Sequence, residues 1–173
     1  VRVAVYAGTF DPVTRGHVSV IEAAVSVFDR VIVLVAVNAE KVPLFDTAER
    51  LAMLRDATAH LASVECAETE GWVVDYARAH GARFLVRGVR GATDTDYETM
   101  LANANRALAP EITTVFIPAH AELSQVSSTR LKELARAGED VSPFCPPGVK
   151  DRLHEKLRGG TPSQRQEVLH VGV

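Results

Sequence analysis

The residues best suited to chemistry lie in one short stretch, Gly8-Thr9-Phe10-Asp11-Pro12-Val13-Thr14-Arg15-Gly16-His17. An apolar run before it reads as a buried β-strand. After it, Val18, Ile21, Val25 and Phe28 recur at helical spacing and mark the inward stripe of an amphipathic helix. Gly8 and Gly16 allow a tight turn and a close approach of the backbone to a ligand. His17 then stands in the first helical turn, where free N–H groups and the helix dipole favour an anion. Thr9 adds a hydroxyl that can donate to phosphate oxygens, and Phe10 a backbone N–H beside a packing ring. A strand, a glycine turn and a helix start bearing an imidazole suit a mononucleotide.

Two further clusters offer donors to phosphate. Arg87 and Arg90 bracket Gly88 and present planar forks; ion pairing with Asp94 and Asp96 is the competing reading. Ser127, Ser128 and Thr129 precede a helix containing Leu131 and Leu134, so they cap it, present its free N–H groups to an anion, or both. Taken alone, Lys41 reads as a solvated lysine, Glu98 as part of a solvated helix face and Val73 as core.

The scaffold that must position these groups shows in the alternation of apolar runs with helical patterns. Strands are expected at 2–6, 30–37, 64–67, 84–87 and 114–117, and helices at 17–28, 47–59, 73–80, 94–108, 128–137 and 149–157. Asp46-Thr47-Ala48-Glu49 has the spacing of a capping box, and Gly138 suits the residue past the fifth helix. Strict alternation implies an α/β fold, a single doubly wound parallel sheet covered by helices on both faces, with a C-terminal helix. Ligands in such sheets gather at the carboxyl ends of the strands, where strand order reverses. The domain is expected over 1–158, with 159–173 a flexible tail.

Composition narrows the class. A chain of 173 residues suits one well-buried core, and a net charge of −3 argues against a general nucleic-acid or membrane surface. The longest apolar run, Val31-Ile32-Val33-Leu34-Val35-Ala36-Val37, is too short to span a bilayer. Cys66 and Cys145 match no metal spacing or disulfide framework, and no secretory signal is visible. These features make a cytoplasmic location the expectation.

Thr14-Arg15-Gly16-His17 resembles the T/H-x-G-H signature of the nucleotidyltransferase superfamily, and Gly8-Thr9-Phe10-Asp11-Pro12 resembles its bacterial phosphopantetheine adenylyltransferases. Lys41-Val42-Pro43-Leu44-Phe45 is similar to that family's lysine loop. Arg87-Gly88-Val89-Arg90, Asp94, Asp96-Tyr97-Glu98 and Asn105-Arg106 are similar to its central segment, and Ser127-Ser128-Thr129 to its last motif. Order and spacing agree from about Val3 to Leu157.

The resemblance implies a Rossmann-like nucleotidyltransferase that joins ATP to 4′-phosphopantetheine, giving dephospho-CoA and pyrophosphate. It implies acceptor contacts at Thr9, Lys41, Val73 and Arg87. It implies ATP contacts at Thr9, Phe10, His17, Gly88, Val89, Arg90, Glu98, Leu123, Ser124, Gln125, Val126, Ser127, Ser128 and Thr129. His17 would stabilise the transition state as a neutral imidazole, its pKa lowered by the helix dipole. A phosphate nucleophile is already anionic and needs no base. Mg²⁺ would arrive with ATP, without a dedicated protein site. A homohexamer built from trimers and feedback binding of CoA also follow from the resemblance.

Departures are Thr95, where the family commonly has phenylalanine, and Thr129 in place of a frequent serine. Ser127-Ser128-Thr129-Arg130 is also similar to the I-S-S-T-x-x-R motif, which keeps nicotinamide mononucleotide as an alternative acceptor. A non-catalytic nucleotide- or CoA-binding protein and a structural flavodoxin-like domain are the readings from other classes.

Overall fold

Each apolar run becomes a strand of one parallel sheet in the computed structural model, which describes residues 1–37 and 42–159. The strands β1 (Val3–Gly8), β2 (Arg30–Ala36), β3 (Val64–Thr69), β4 (Phe84–Val89) and β5 (Thr113–Pro118) lie in the order β3-β2-β1-β4-β5. Between them run α1 (Arg15–Val25), α2 (Thr47–Thr58), α3 (Val73–Ala79) and α4 (Ala92–Leu108). After β5 come α5 (Ser128–Arg136) and α6 (Val149–Gly159). This is the doubly wound α/β sheet implied by the alternation. Gly159 ends α6, while 160–173, the rest of the expected tail, lie outside the described residues.

The period-two alternation of β1 divides its side chains between two apolar layers. Ala4 and Tyr6 pack with Val20, Ile21, Leu54, Leu131 and Leu153, which come from α1, α2, α5 and α6. Val3, Val5 and Ala7 pack on the other face with Val74 and Ala77 of α3 and with Ile112. Leu54 and Leu153 are fully buried, and each such side chain contributes about 2 kcal/mol by leaving water.

Local signals set the helix ends. Asp46 and Glu49 exchange backbone bonds of 2.8 Å each and form the expected capping box of α2. Gly138, with φ of +79°, follows α5 in the left-handed region. Helix α1 ends at Val25 rather than 28, because the chain turns to pack the buried Phe28 against Phe84, with ring centroids 5.1 Å apart.

The reversal of strand order lies between β1 and β4. Strand β1 pairs with β2 as far as Gly8, but its pairing with β4 stops at Tyr6↔Val86. Beyond that point the two strands leave a crevice at their carboxyl ends.

Candidate active site

The crevice is closed on one side by the turn from β1 to α1. Phe10 adopts a φ of +50°, and the Asp11–Pro12 peptide is cis. The Phe10 ring is buried and meets Tyr6 and His17 edge-on, at centroid distances of 5.4 and 5.0 Å. A Cβ on Gly8 would stand 3.0 Å from that ring, so Gly8 makes room for Phe10. A Cβ on Gly16 would stand 3.4 Å from Thr14 Oγ1 and 3.8 and 3.9 Å from the Val126 and Leu123 carbonyls, ordinary contacts. Gly8 thus serves internal packing, and both glycines line the cleft between the strands.

Thr14 and His17 form a capping box at the start of α1. The His17 N–H donates to Thr14 Oγ1 at 3.2 Å, and the Thr14 N–H donates to His17 Nδ1 at 3.0 Å. Because Nδ1 accepts, a neutral His17 carries its proton on Nε2. Burial, reinforced by the charge of Arg90, lowers the His17 pKa to about 4. These two causes favour the expected neutral form. The residue is a fixed neutral donor at neutral pH.

A pH titration checks this assignment. Nitrogen-15 spectra should show the neutral Nε2–H form of His17 from pH 8 to about 5, with protonation near 4. A midpoint at the ordinary imidazole value would contradict it. The unfolded chain takes up a proton that folded His17 refuses. Its contribution to stability is therefore complete above about pH 6.5 and lost as pH falls towards about 4.

Arg87, near the end of β4, spans the crevice. Its Nε and Nη2 donate to the two carboxylate oxygens of Glu98 at 2.5 and 2.8 Å, and Nη1 donates to the Ala7 carbonyl at 3.0 Å. Burial pulls the guanidinium pKa down, but hydrogen bonds and charge from Glu98 outweigh it and raise it. Glu98 thus fixes the fork of Arg87, and both its oxygens are engaged in doing so. Arg90 forms a looser pair with Asp94, its Nη2 3.3 Å from Oδ1, and its side chain is 41% exposed. It can exchange that carboxylate for another anion at little cost. A Cβ on Gly88 would come within 3.0 Å of Val20 Cγ2, so Gly88 lets β4 close on α1.

These groups share a cleft of about 450 Å³. Of the expected site residues it is lined by Thr9, Phe10, His17, Val73, Arg87, Gly88, Arg90, Glu98, Val126, Ser127 and Ser128. Thr129 lines an adjoining groove that shares Thr9, Phe10, His17 and Ser128 with the cleft. Val89, Ser124 and Gln125 are not part of the lining. Leu123 faces a separate groove with Arg15 and Val18, because the short 3₁₀ turn Ala121–Leu123 directs it there. Lys41 lies outside the described residues. Ser127 caps α5 by accepting the Arg130 N–H at 3.0 Å, and Ser128 Oγ donates to the Pro12 carbonyl at 2.8 Å.

Several residues of the cleft and its walls were not among the expected contact residues. Tyr6 and Tyr97 line it, and burial raises the Tyr6 pKa, keeping its hydroxyl protonated as a donor. Arg50 and Asp11 hold the walls: the Arg50 Nη1 donates to the Thr9 carbonyl at 3.0 Å. A buried carboxylate in a turn and a buried arginine on α2 were the available signals. Among the described residues no cluster of three metal-ligating side chains occurs, and no helix is long and apolar enough to cross a membrane.

Comparison with known proteins agrees with this geometry. The cytidylyltransferase-like family matches residues 5–134. A phosphopantetheine adenylyltransferase of Psychromonas ingrahamii is 44% identical over 88% of this chain and 94% of its own. One of Heliobacterium modesticaldum is 43% identical over 92% of this chain and 98% of its own. A crystal structure provisionally assigned as a nicotinate-nucleotide adenylyltransferase of Vibrio parahaemolyticus superposes with a TM-score of 0.65. It covers 88% of this chain and 97% of its own at 18% identity, a likeness of fold.

Proposed function

The chain belongs to the phosphopantetheine adenylyltransferase family, and on that premise we propose how its cleft joins ATP to 4′-phosphopantetheine, forming dephospho-CoA and releasing pyrophosphate. The observation that carries the reading is convergence. His17, Arg87, Arg90 and the start of α5 line one cleft where β1 and β4 part, which supports this reading.

The acceptor phosphate attacks the α-phosphorus of ATP, the new P–O bond forms, and the bond to pyrophosphate breaks. No base is required, so the residues act by positioning two anions and by stabilising charge as it moves. Nε2–H of His17 donates to the α-phosphate oxygens. Arg90 and the free N–H groups at Ser127, Ser128 and Thr129 hold the triphosphate. Arg87, Thr9 and Lys41 orient the attacking phosphate, with Val73 beside the pantetheine arm. The role of Lys41 rests on the Lys41-Val42-Pro43-Leu44-Phe45 motif. Phe10 and Gly88 complete the nucleotide side, while Glu98 acts on the acceptor side through its grip on Arg87.

The cleft carboxylates Asp94 and Glu98 are each engaged by an arginine. That supports Mg²⁺ held by the phosphate oxygens of ATP and water, where it would neutralise charge on the departing pyrophosphate. A homohexamer is supported by the apolar residues left exposed on α4 and β5, namely Tyr97, Met100, Leu108 and Phe116. Covering exposed apolar side chains is a usual task of subunit contacts; light scattering reads the assembly. Feedback binding of CoA follows from its likeness to the product, and a cytoplasmic location fits the biosynthetic role.

The test is pyrophosphate release from ATP with each of two acceptors. Release with 4′-phosphopantetheine and not with nicotinamide mononucleotide is expected. The opposite preference would overturn the choice of acceptor, and tight binding without release would overturn catalysis.

A further inference from the structure

One carboxylate ties together three separate segments that wall the cleft. Asp11, in the turn between β1 and α1, is 4% exposed. Its Oδ1 accepts the Phe45 N–H at 2.8 Å, and its Oδ2 accepts the Leu44 N–H at 2.9 Å and the Lys132 ammonium at 3.0 Å. Leu44 and Phe45 belong to the segment entering α2, and Lys132 belongs to α5. Two further bonds brace the same triangle. Ser128 Oγ of α5 donates to the Pro12 carbonyl, and Arg50 of α2 donates to the Thr9 carbonyl.

A buried charge pair is not by default a stabilising device, since desolvation offsets its attraction. What this pair achieves is registration. Each tied segment also lines the reaction cleft or the groove beside it: Thr9 and His17 on the first, Pro43 on the second, Ser128 and Thr129 on the third. The donors arriving at Asp11 come from both the acceptor side and the triphosphate side of the proposed site. Their separation is therefore set at this one carboxylate.

We propose that Asp11, with Lys132 as its counter-charge, is a positioning residue for adenylyl transfer: the Asp11–Lys132 latch fixes the attacking phosphate against the α-phosphate by holding the two sides of the cleft in register. The proposal rests on the reaction assigned above. Asp11 touches neither substrate. It acts through the backbone of residues 44–45 and through α5.

Asp11→Asn turns one acceptor into an N–H₂ that must face a donor. It should lower kcat on the order of 10- to 100-fold, the scale set by small misplacement of reacting groups, with ATP binding within about threefold of wild type. Lys132→Met should lose activity in the same direction, and Lys132→Arg should recover most of it. The Asp11→Asn/Lys132→Met double variant should be no worse than Asp11→Asn alone, because both changes break one unit. Independently of turnover, amide exchange at Leu44 and Phe45 should accelerate in Asp11→Asn. Circular dichroism verifies folding; if Asp11→Asn does not fold, the Lys132 pair carries the test. Unchanged kcat, additive losses or unchanged amide exchange would overturn the proposal. So would a loss in Lys132→Met that Asp11→Asn lacks, since Lys132 would then act on phosphate directly. A wild-type chain inert towards 4′-phosphopantetheine, with exchange behaving as expected, would sink the assigned reaction and leave the latch standing.

Discussion

His17→Ala is expected to lower kcat by about three powers of ten while leaving ATP affinity within a few-fold of wild type. The proposed loss arises because the imidazole is held in one tautomer and one plane before the substrates arrive. The Thr14 N–H fixes the tautomer through Nδ1, and the Phe10 ring edge holds the imidazole plane. A donor that needs no reorganisation is most valuable as charge shifts on the phosphoryl oxygens, and contributes less to binding the ground state. Alanine also removes half of the capping box of α1, costing about 1 kcal/mol. A thermal melt separates that modest loss from the kinetic one. Turnover close to wild type would remove His17 from the reaction.

Arg87→Ala should reduce kcat/KM for 4′-phosphopantetheine about 100-fold, with KM for ATP nearly unchanged. Two effects combine. The fork proposed to meet the acceptor phosphate disappears, and the Glu98 carboxylate, its side chain 9% exposed, loses its counter-charge. Glu98→Gln gives a milder version. It leaves Arg87 in place but presents an N–H₂ to a guanidinium donor, so a loss of about tenfold in the same parameter is expected. Steady-state kinetics with each substrate varied in turn reads the division. A loss confined to ATP would place Arg87 on the other side of the cleft.

The order of strands and helices was legible because burial on both faces makes each strand a continuous apolar run, while helices carry a period of about 3.6. Strand ends were less so. β1 and β4 continue to Gly8 and Val89 because parallel pairing carries on beyond the apolar residues. Of the ion pairs offered as the competing reading for Arg87 and Arg90, the structure forms Arg90–Asp94, and helix geometry explains why Arg87 takes Glu98 instead. Asp94 and Glu98 are four residues apart and share a face of α4 turned to the cleft, whereas the exposed Asp96 points away. Asp94 therefore takes Arg90, and Glu98 takes Arg87.

Residues 123–125 are the part of the last expected stretch that does not line the cleft. A run of neighbours cannot all face one cleft once a 3₁₀ turn rotates its first residues away. The glycines posed a similar difficulty. Gly8 and Gly88 are required by Phe10 and Val20, contacts that no local pattern reveals. The latch was the hardest feature to foresee, since Asp11 and Lys132 stand 121 residues apart and only the closed fold joins them.

The central claim is that the neutral imidazole of His17 and the guanidiniums of Arg87 and Arg90 at the end of β4 surround the phosphorus that reacts. A crystal structure with dephospho-CoA bound tests it most directly. The diphosphate bridge should lie in the cleft between β1 and β4, within hydrogen-bond distance, about 3 Å, of His17 Nε2, with Arg87 on the pantetheine side. A bridge seated in another groove, or a His17 ring turned from it with Nε2 unpaired, would contradict the account.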